Sequence, residues 1–192
     1  MRPAFIAPER RDADGFVVRR FFRGDGVIVA RAIRESYAHL RRWMEWAQPA
    51  VTAEQQEERV REAGARYAAG EDYALGIFSP DGTALWGGTG FHLREALPDA
   101  AEIGMWIHAD QVGWGLGTRV LKEMLAWGFS DAWPWRRLSW RCDERNRASA
   151  RVAEKAGLFY EGTLRGHSLA ADGVIRDLMI FARLRADGDS TE

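Results

Sequence analysis

At 192 residues the chain is long enough for one domain with a full core, burying roughly 70% of its unfolded surface. Its 27 basic and 28 acidic residues nearly cancel, which excludes the broad basic footprint of a nucleic-acid binder. A single cysteine, Cys142, excludes an internal disulfide. No zinc-ligand spacing, signal-peptide pattern or membrane-length apolar run is present, so a cytoplasmic protein without a metal is expected.

Residues 1–14 mix Pro3, Pro8 and charges without periodicity and read as a flexible arm; residues 15–185 read as a single domain and 186–192 as a polar tail. Phe16–Phe22 is rich in β-formers and predicts the first strand. From Val27 to Trp46 the apolar residues Val29, Ile33, Tyr37, Leu40 and Met44 recur at helical spacing, with a kink expected near Ser36. Trp43 and Trp46 fall on one side of its end, either as core anchors or as the lining of a groove. Thr52 and Gln55 form a capping box for a helix that runs to about Ala69, and its acidic face of Glu54, Glu57, Glu58 and Glu62 reads as a solvated surface. Tyr73–Phe78 and Ala84–Leu93, joined by Ser79-Pro80-Asp81-Gly82, read as a hairpin.

The stretch 100–127 is the most informative. Ile103, Met105 and Ile107 alternate with Glu102, Gly104, Trp106 and His108, the period of a strand with two unlike faces. Gly113, Gly115 and Gly117 follow at every second position, and an apolar stripe from Val120 to Phe129 then predicts a helix. A glycine turn before a helix presents unpaired N–H groups and the positive end of the helix dipole, which suits a phosphate. Gly117 is followed by Thr118-Arg119, which fails the P-loop pattern. Only Leu116 separates the last two glycines, which fails the dinucleotide fingerprint. A glycine-rich connection without a ligand is the alternative at this point.

Beyond the helix, Leu138–Cys142 alternates as a strand, and the intervening helix allows it to lie parallel to the strand at 102–108. Asn146 is an N-cap for a helix that Gly157 closes. Leu158–Arg165 and Val174–Leu184 complete an α/β domain whose mixed sheet has about seven strands.

With this order of elements, the chain resembles the GCN5-related N-acetyltransferase (GNAT) family, and within it the RimJ/RimL type. The resemblance covers roughly residues 16–184. It rests on Ala101-Glu102-Ile103-Gly104, on the three glycines with Thr118, on Asn146 and Ser149 followed by Val152–Leu158, and on Glu161-Gly162. It implies a mostly antiparallel sheet with a splayed central parallel pair and flanking helices. It also implies acetyl-CoA in the gap, with pyrophosphate on Gly113, Trp114, Gly115, Leu116, Gly117 and Thr118. The pantetheine arm would pair with the backbone of Met105, Trp106 and Ile107, where Gly104 would form a bulge, and Asn146 would hydrogen-bond that arm. Val112 and Trp114 depart from the pattern, since a glutamine or a cation is usual at those positions.

The resemblance also implies transfer of acetyl to a primary amine. An α-amine with pKa ~7.8 is roughly 14% neutral at pH 7 and a lysine at ~10.4 only about 0.04%, a gap of roughly 3.5 kcal/mol favouring N-termini. Glu102 is the first choice of general base, on the premise that partial burial raises a carboxylate's proton affinity. His167 is the second choice, and Ser149 is the donor to the leaving thiolate. Cys142 alternates with Leu138 and Trp140 on an apolar face, which disfavours a nucleophilic role. The acceptor is expected to be a protein or peptide N-terminus; a polyamine or aminoglycoside, and a non-catalytic acyl-CoA-binding module, are the alternatives. A homodimer is compatible with all three.

Overall fold

The computed structural model describes residues 5–170 and 172–188. Eight strands, one more than expected, form a single sheet. They are β1 (Arg10–Ala13), β2 (Phe16–Arg20), β3 (Tyr73–Phe78), β4 (Leu85–His92), β5 (Ala100–Ile107), β6 (Arg137–Asp143), β7 (Phe159–Leu169) and β8 (Ile175–Leu184). Their order is β1-β2-β3-β4-β5-β6-β8-β7, and every neighbour is antiparallel except β5 and β6. The additional strand is β1, taken from the segment expected to be a flexible arm. Arg10–Ala13 folds back on Phe16–Arg19 through a turn at Gly15, whose φ of +80° favours glycine. Of that arm, residues 1–4 lie outside the described residues, as do 189–192 of the tail.

Four helices cover the sheet: α1 (Gly26–Leu40), α2 (Ala53–Ala68), α3 (Leu116–Gly128) and α4 (Arg147–Ala156). The capping box at Thr52 is formed in both directions, Gln55 N–H to the threonine hydroxyl and Thr52 N–H to the Gln55 side chain. Gly157 closes α4 at φ +85°. The kink expected at Ser36 is absent: α1 is one helix that ends at Leu40. Ser36 is buried, and its hydroxyl accepts from Ala109 N–H at 3.0 Å, which ties α1 to the end of β5.

The two faces of the sheet carry separate cores. Val29, Ile33, Val51 and Val60 pack with Phe78 and Leu85 under α1 and α2. On the other face Val120, Leu121 and Met124 of α3 and Ala150 and Ala153 of α4 meet Leu75, Ile103, Leu138 and Phe181. The Trp133-Pro134-Trp135 break drives both indoles into this second core. There Trp133 lies 4.7 Å from Phe91, 5.0 Å from Tyr73 and 5.5 Å from Trp127 between ring centroids. Replacing Trp133 by alanine is expected to cost about 3–5 kcal/mol, the usual range for deleting a buried aromatic. Urea unfolding checks this, and a loss below about 1 kcal/mol would show that the cluster does not organise the core.

Candidate active site

The parallel pair is joined over only three residues, Ala100 with Arg137, Ala101 with Leu138 and Glu102 with Ser139. Both strands continue, but past Glu102 they separate. On its other side β5 stays paired with β4 without interruption from His92–Glu102 to Gly87–Ile107. Residues 103–107 therefore present one free edge to the gap.

Which main-chain groups face the gap follows from strand parity. The carbonyl of Gly104 accepts from the Thr89 hydroxyl at 2.9 Å, and His108 N–H donates to the Trp86 carbonyl at 2.8 Å. The Trp106 carbonyl lies so close to Gly87 that a Cβ there would clash. Residues 104, 106 and 108 thus turn their main chain towards β4. By alternation Ile103, Met105 and Ile107 turn theirs to the open side. Met105 and Ile107 have the orientation that pairing with an extended ligand needs, whereas Trp106 has its backbone in the β4 ladder.

Gly104 forms no bulge, because the β4–β5 register runs through it unbroken. The glycine makes room instead: a Cβ there would stand 2.9 Å from Nε2 and Cδ2 of His92, whose ring lies over it.

At the wide end of the gap a short 3-10 turn (Ala109–Gln111) leads into the glycines. Gly113 (φ +88°) and Gly115 (φ +77°) take left-handed conformations, and Gly115 starts α3 with no side-chain cap. The first helical hydrogen bond is Arg119 N–H to the Gly115 carbonyl. Among the described residues no acceptor engages the N–H groups of Leu116, Gly117 and Thr118. Gly117 lies under Met105, Ile107 and Val152, with room for a methyl at ordinary contact distance. Val112 and Trp114 are exposed, Trp114 at 79%.

At the closed end a charge cluster sits in the fork. Glu102 is buried, 3.1 Å from a guanidinium nitrogen of Arg94 and 3.5 Å from Nε of Arg141. Arg141 also donates to Glu95 at 3.0 Å, and the Ser139 hydroxyl donates to the same carboxylate at 2.5 Å. Glu102 is thus not merely a half-buried carboxylate but stands between two cations. Beside Glu102, across the β4–β5 ladder, stands His92, with Nδ1 2.8 Å from Asp72. Burial pushes the Asp72 carboxyl up. The hydrogen bond and charge of His92, with Arg66 and Arg94, outweigh this and hold it below its ordinary value. Sequence reading missed this pair.

Along the same face of β5, Trp106 lies edge-on to Trp46 with centroids 6.0 Å apart, so Trp46 reaches the sheet rather than only closing a loop. On the opposite face of the gap the Asn146 side-chain oxygen accepts from Ser149 N–H at 3.1 Å, leaving its NH2 to donate. The Trp140 indole N–H donates to the Ser149 hydroxyl at 3.1 Å. The Cys142 thiol is buried, and that burial pushes its pKa up, against the hydrogen bond of Ser149. His167 is exposed on β7, the edge strand, with β8 and β6 between it and β5. The structure does not bring it to this group.

The profile of the acetyltransferase (GNAT) domain matches residues 9–158. The chain belongs to the GNAT family. It is an acyltransferase, of a family that takes its acetyl group from acetyl-CoA. A probable N-acetyltransferase of Bacillus subtilis, YjcK, is 29% identical over 139 residues, 72% of this chain and 76% of its own. Among solved structures, RimL, a ribosomal L7/L12 α-N-protein acetyltransferase in complex with coenzyme A, superposes with a TM-score of 0.80 at 20% identity. The match covers 90% of this chain and 95% of that one. The microcin C7 self-immunity acetyltransferase MccE, in complex with acetyl-CoA and AMP, also gives 0.80, at 19% identity over 90% and 93%. These two structures share the fold. No helix among the described residues is long and apolar enough to cross a membrane.

Two stability predictions follow from this geometry. Gly115→Ala forces a methyl-bearing residue into a left-handed conformation and should cost about 1–2 kcal/mol. Gly117→Ala, in a right-handed helical turn with space for the methyl, should be neutral or stabilise by up to ~1 kcal/mol. Thermal or urea denaturation compares the two, and equal losses would contradict the assignment. For Asp72 the folded-state pKa lies below the unfolded one. Its contribution is therefore present above the ordinary carboxylate value of about 3.9 and is lost as pH falls through the depressed one. The stability difference between wild type and Asp72→Asn should accordingly shrink between pH 6 and pH 2; a constant difference would contradict the depressed pKa.

Proposed function

We propose that the chain transfers acetyl from acetyl-CoA to the α-amine of a protein or peptide N-terminus. The observation that carries this is the five-residue free edge of β5, which runs from the charged fork to the uncapped start of α3. At about 3.3 Å per residue this edge spans roughly 16 Å, the scale of an extended pantetheine arm. With the pyrophosphate on the N–H groups at Gly113–Thr118 and the arm paired to Met105 and Ile107, the thioester lies at the fork. Trp114 then flanks the phosphates as an aromatic surface, and the Asn146 NH2 group reaches the arm from the other side. Trp106 contributes its indole to the acceptor side, next to Trp46.

At the fork the attacking amine meets Glu102 on the α1/α2 face. The carboxylate receives the ammonium group and sets it beside the thioester carbonyl. A C–N bond forms as the C–S bond breaks, the attacking nitrogen gives up its proton, and the thiolate gains one. Ser149 is the donor to the departing sulfur: its oxygen accepts the Trp140 N–H, and its own proton, which is within reach of the Cys142 sulfur, is the one that would turn to the thiolate. Main-chain N–H groups of the open β5 edge would stabilise the oxyanion. The site needs no strong base for an α-amine, because the neutral fraction at pH 7 already exceeds that of a lysine by roughly 3.5 kcal/mol.

A small amine with an aromatic or nucleotide portion is the second reading. It is favoured by the pair of exposed Trp46 with half-buried Trp106 and by the AMP bound in the fold-related MccE. Thiol release from acetyl-CoA, measured across peptide N-termini, polyamines, aminoglycosides and aminoacyl nucleotides, decides between them. Activity confined to peptides supports the first reading; activity confined to small amines replaces it. Glu102→Gln should raise the KM for the amine and lower turnover at least tenfold, with acetyl-CoA affinity unchanged by calorimetry. Wild-type rates at every pH would remove Glu102 from the site.

A further inference from the structure

The geometry points to His92, held by Asp72, as the group that takes the proton from the attacking amine. This rests on the acetyltransferase reading above and names a residue that no motif of the sequence indicated. His92 ends β4 directly opposite Glu102, so the two side chains stand next to each other on the α1/α2 face at the fork. Asp72 Oδ1 lies 2.8 Å from Nδ1. A carboxylate at that distance places the ring proton on Nδ1, which leaves Nε2 with its lone pair. No hydrogen bond among the described residues engages Nε2, which lies over Gly104, the β5 residue next but one to Glu102. The ring is 18% exposed, so it is fixed in place without being sealed off.

The charges around it favour this division of labour. Asp72 faces the imidazole from the α2–β3 connection, with Arg66 of α2 beyond it. Glu102 faces it from β5, and Arg94 lies two residues further along the chain, past the end of β4. Beyond Glu102 stands Arg141, which in turn pairs with Glu95. Glu102 accepts a hydrogen bond from Arg94 and has Nε of Arg141 at 3.5 Å, which suits it to hold an ammonium group as a charge, whereas Nε2 has no hydrogen-bond partner among the described residues. An ordinary imidazole also holds a proton about a hundredfold more tightly than an ordinary glutamate, closer to the affinity of an α-amine. In the balanced step, one proton leaves the ammonium for Nε2 and the neutral nitrogen attacks the thioester carbon. As C–S breaks, the new amide sheds its second proton and the thiolate is protonated. Asp72 is a positioning residue, stabilising the imidazolium once it forms.

The deciding variant is His92→Asn. Its amide N–H can still donate to Asp72, so the local packing is kept while Nε2 is removed. The expected result is a fall in kcat of about 30-fold or more, with KM for acetyl-CoA within threefold. The imidazole limb should disappear from the pH profile, so that the remaining rate simply follows the neutral fraction of the amine up to high pH. Asp72→Asn should shift that limb and weaken turnover less. Nitrogen NMR of the wild-type imidazole gives a test independent of turnover: a proton on Nδ1 with Nε2 bare at pH 8 supports the assignment. A proton on Nε2 at that pH, or a His92→Asn enzyme within threefold of wild type with the same pH limb, overturns it and leaves the acetyltransferase reading standing. A wild-type chain that binds no coenzyme A in calorimetry sinks the underlying reading instead, and this inference with it.

Discussion

The constraint on which the rest depends is that β5 stops pairing with β6 after Glu102 but does not stop being a strand. A free strand edge inside a domain is costly, because each buried main-chain donor or acceptor left unpaired loses about 1–3 kcal/mol. Proteins ordinarily cover or close such an edge. Here five residues hold it open in the middle of an eight-stranded sheet. The separation is supported on both faces. On one side Trp140 and Cys142 are drawn under α4, with the Trp140 indole fixed to Ser149. On the other, the side chains of Glu102, Arg141, Glu95 and Ser139 interlock in the fork. Pairing the strands further would have to disrupt both sets of contacts.

Much of this was readable from residues because it is local chemistry. The Thr52–Gln55 box, the Gly157 cap, the Pro80–Gly82 hairpin and the parallel pair separated by a helix all depend on neighbours within a few positions or on connection length. The glycine turn was legible for the same reason, since the φ values of Gly113 and Gly115 are properties of the turn itself. What escaped was set by register. The edge strand β1 exists only because β2 offers it a partner. Gly104 reads as a bulge in isolation, yet its cause is a ring on the neighbouring strand. The parity that separates Met105 and Ile107 from Trp106 is fixed by Thr89, Trp86 and Gly87, all on β4.

The His92–Asp72 pair shows how close to legible such a feature can be. Tyr73 pairs with Phe91, so one further step along the hairpin places Asp72 opposite His92. Counting outward from the Ser79–Thr83 turn misses this by one residue, because β3 and β4 slip between Ile77 and Phe78. A slip of one residue reverses which face each side chain takes. The bulge therefore hides the pair from any reading that assumes a regular hairpin.

The missing cation in the glycine turn, proposed above to hold the pyrophosphate, follows the same logic of main chain over side chain. Where the family resemblance leads one to expect a glutamine or a cation, this chain has exposed Val112 and Trp114, so the proposed pyrophosphate site draws less on side-chain charge. What remains is the row of N–H groups from Leu116 to Thr118 with the α3 dipole behind them, both indifferent to side-chain identity. Such donors are fixed by the positive φ angles of two glycines, and Gly117 lies under the side chains of Met105 and Ile107. The turn and the free edge are therefore one device. Gly117 of α3 lies beneath the side chains of the two residues whose main chain faces the gap. On the proposed placement of acetyl-CoA, a shift in β5 would move the phosphate end and the thioester end together, so the backbone sets the distance between them and the surrounding side chains only tune what happens there.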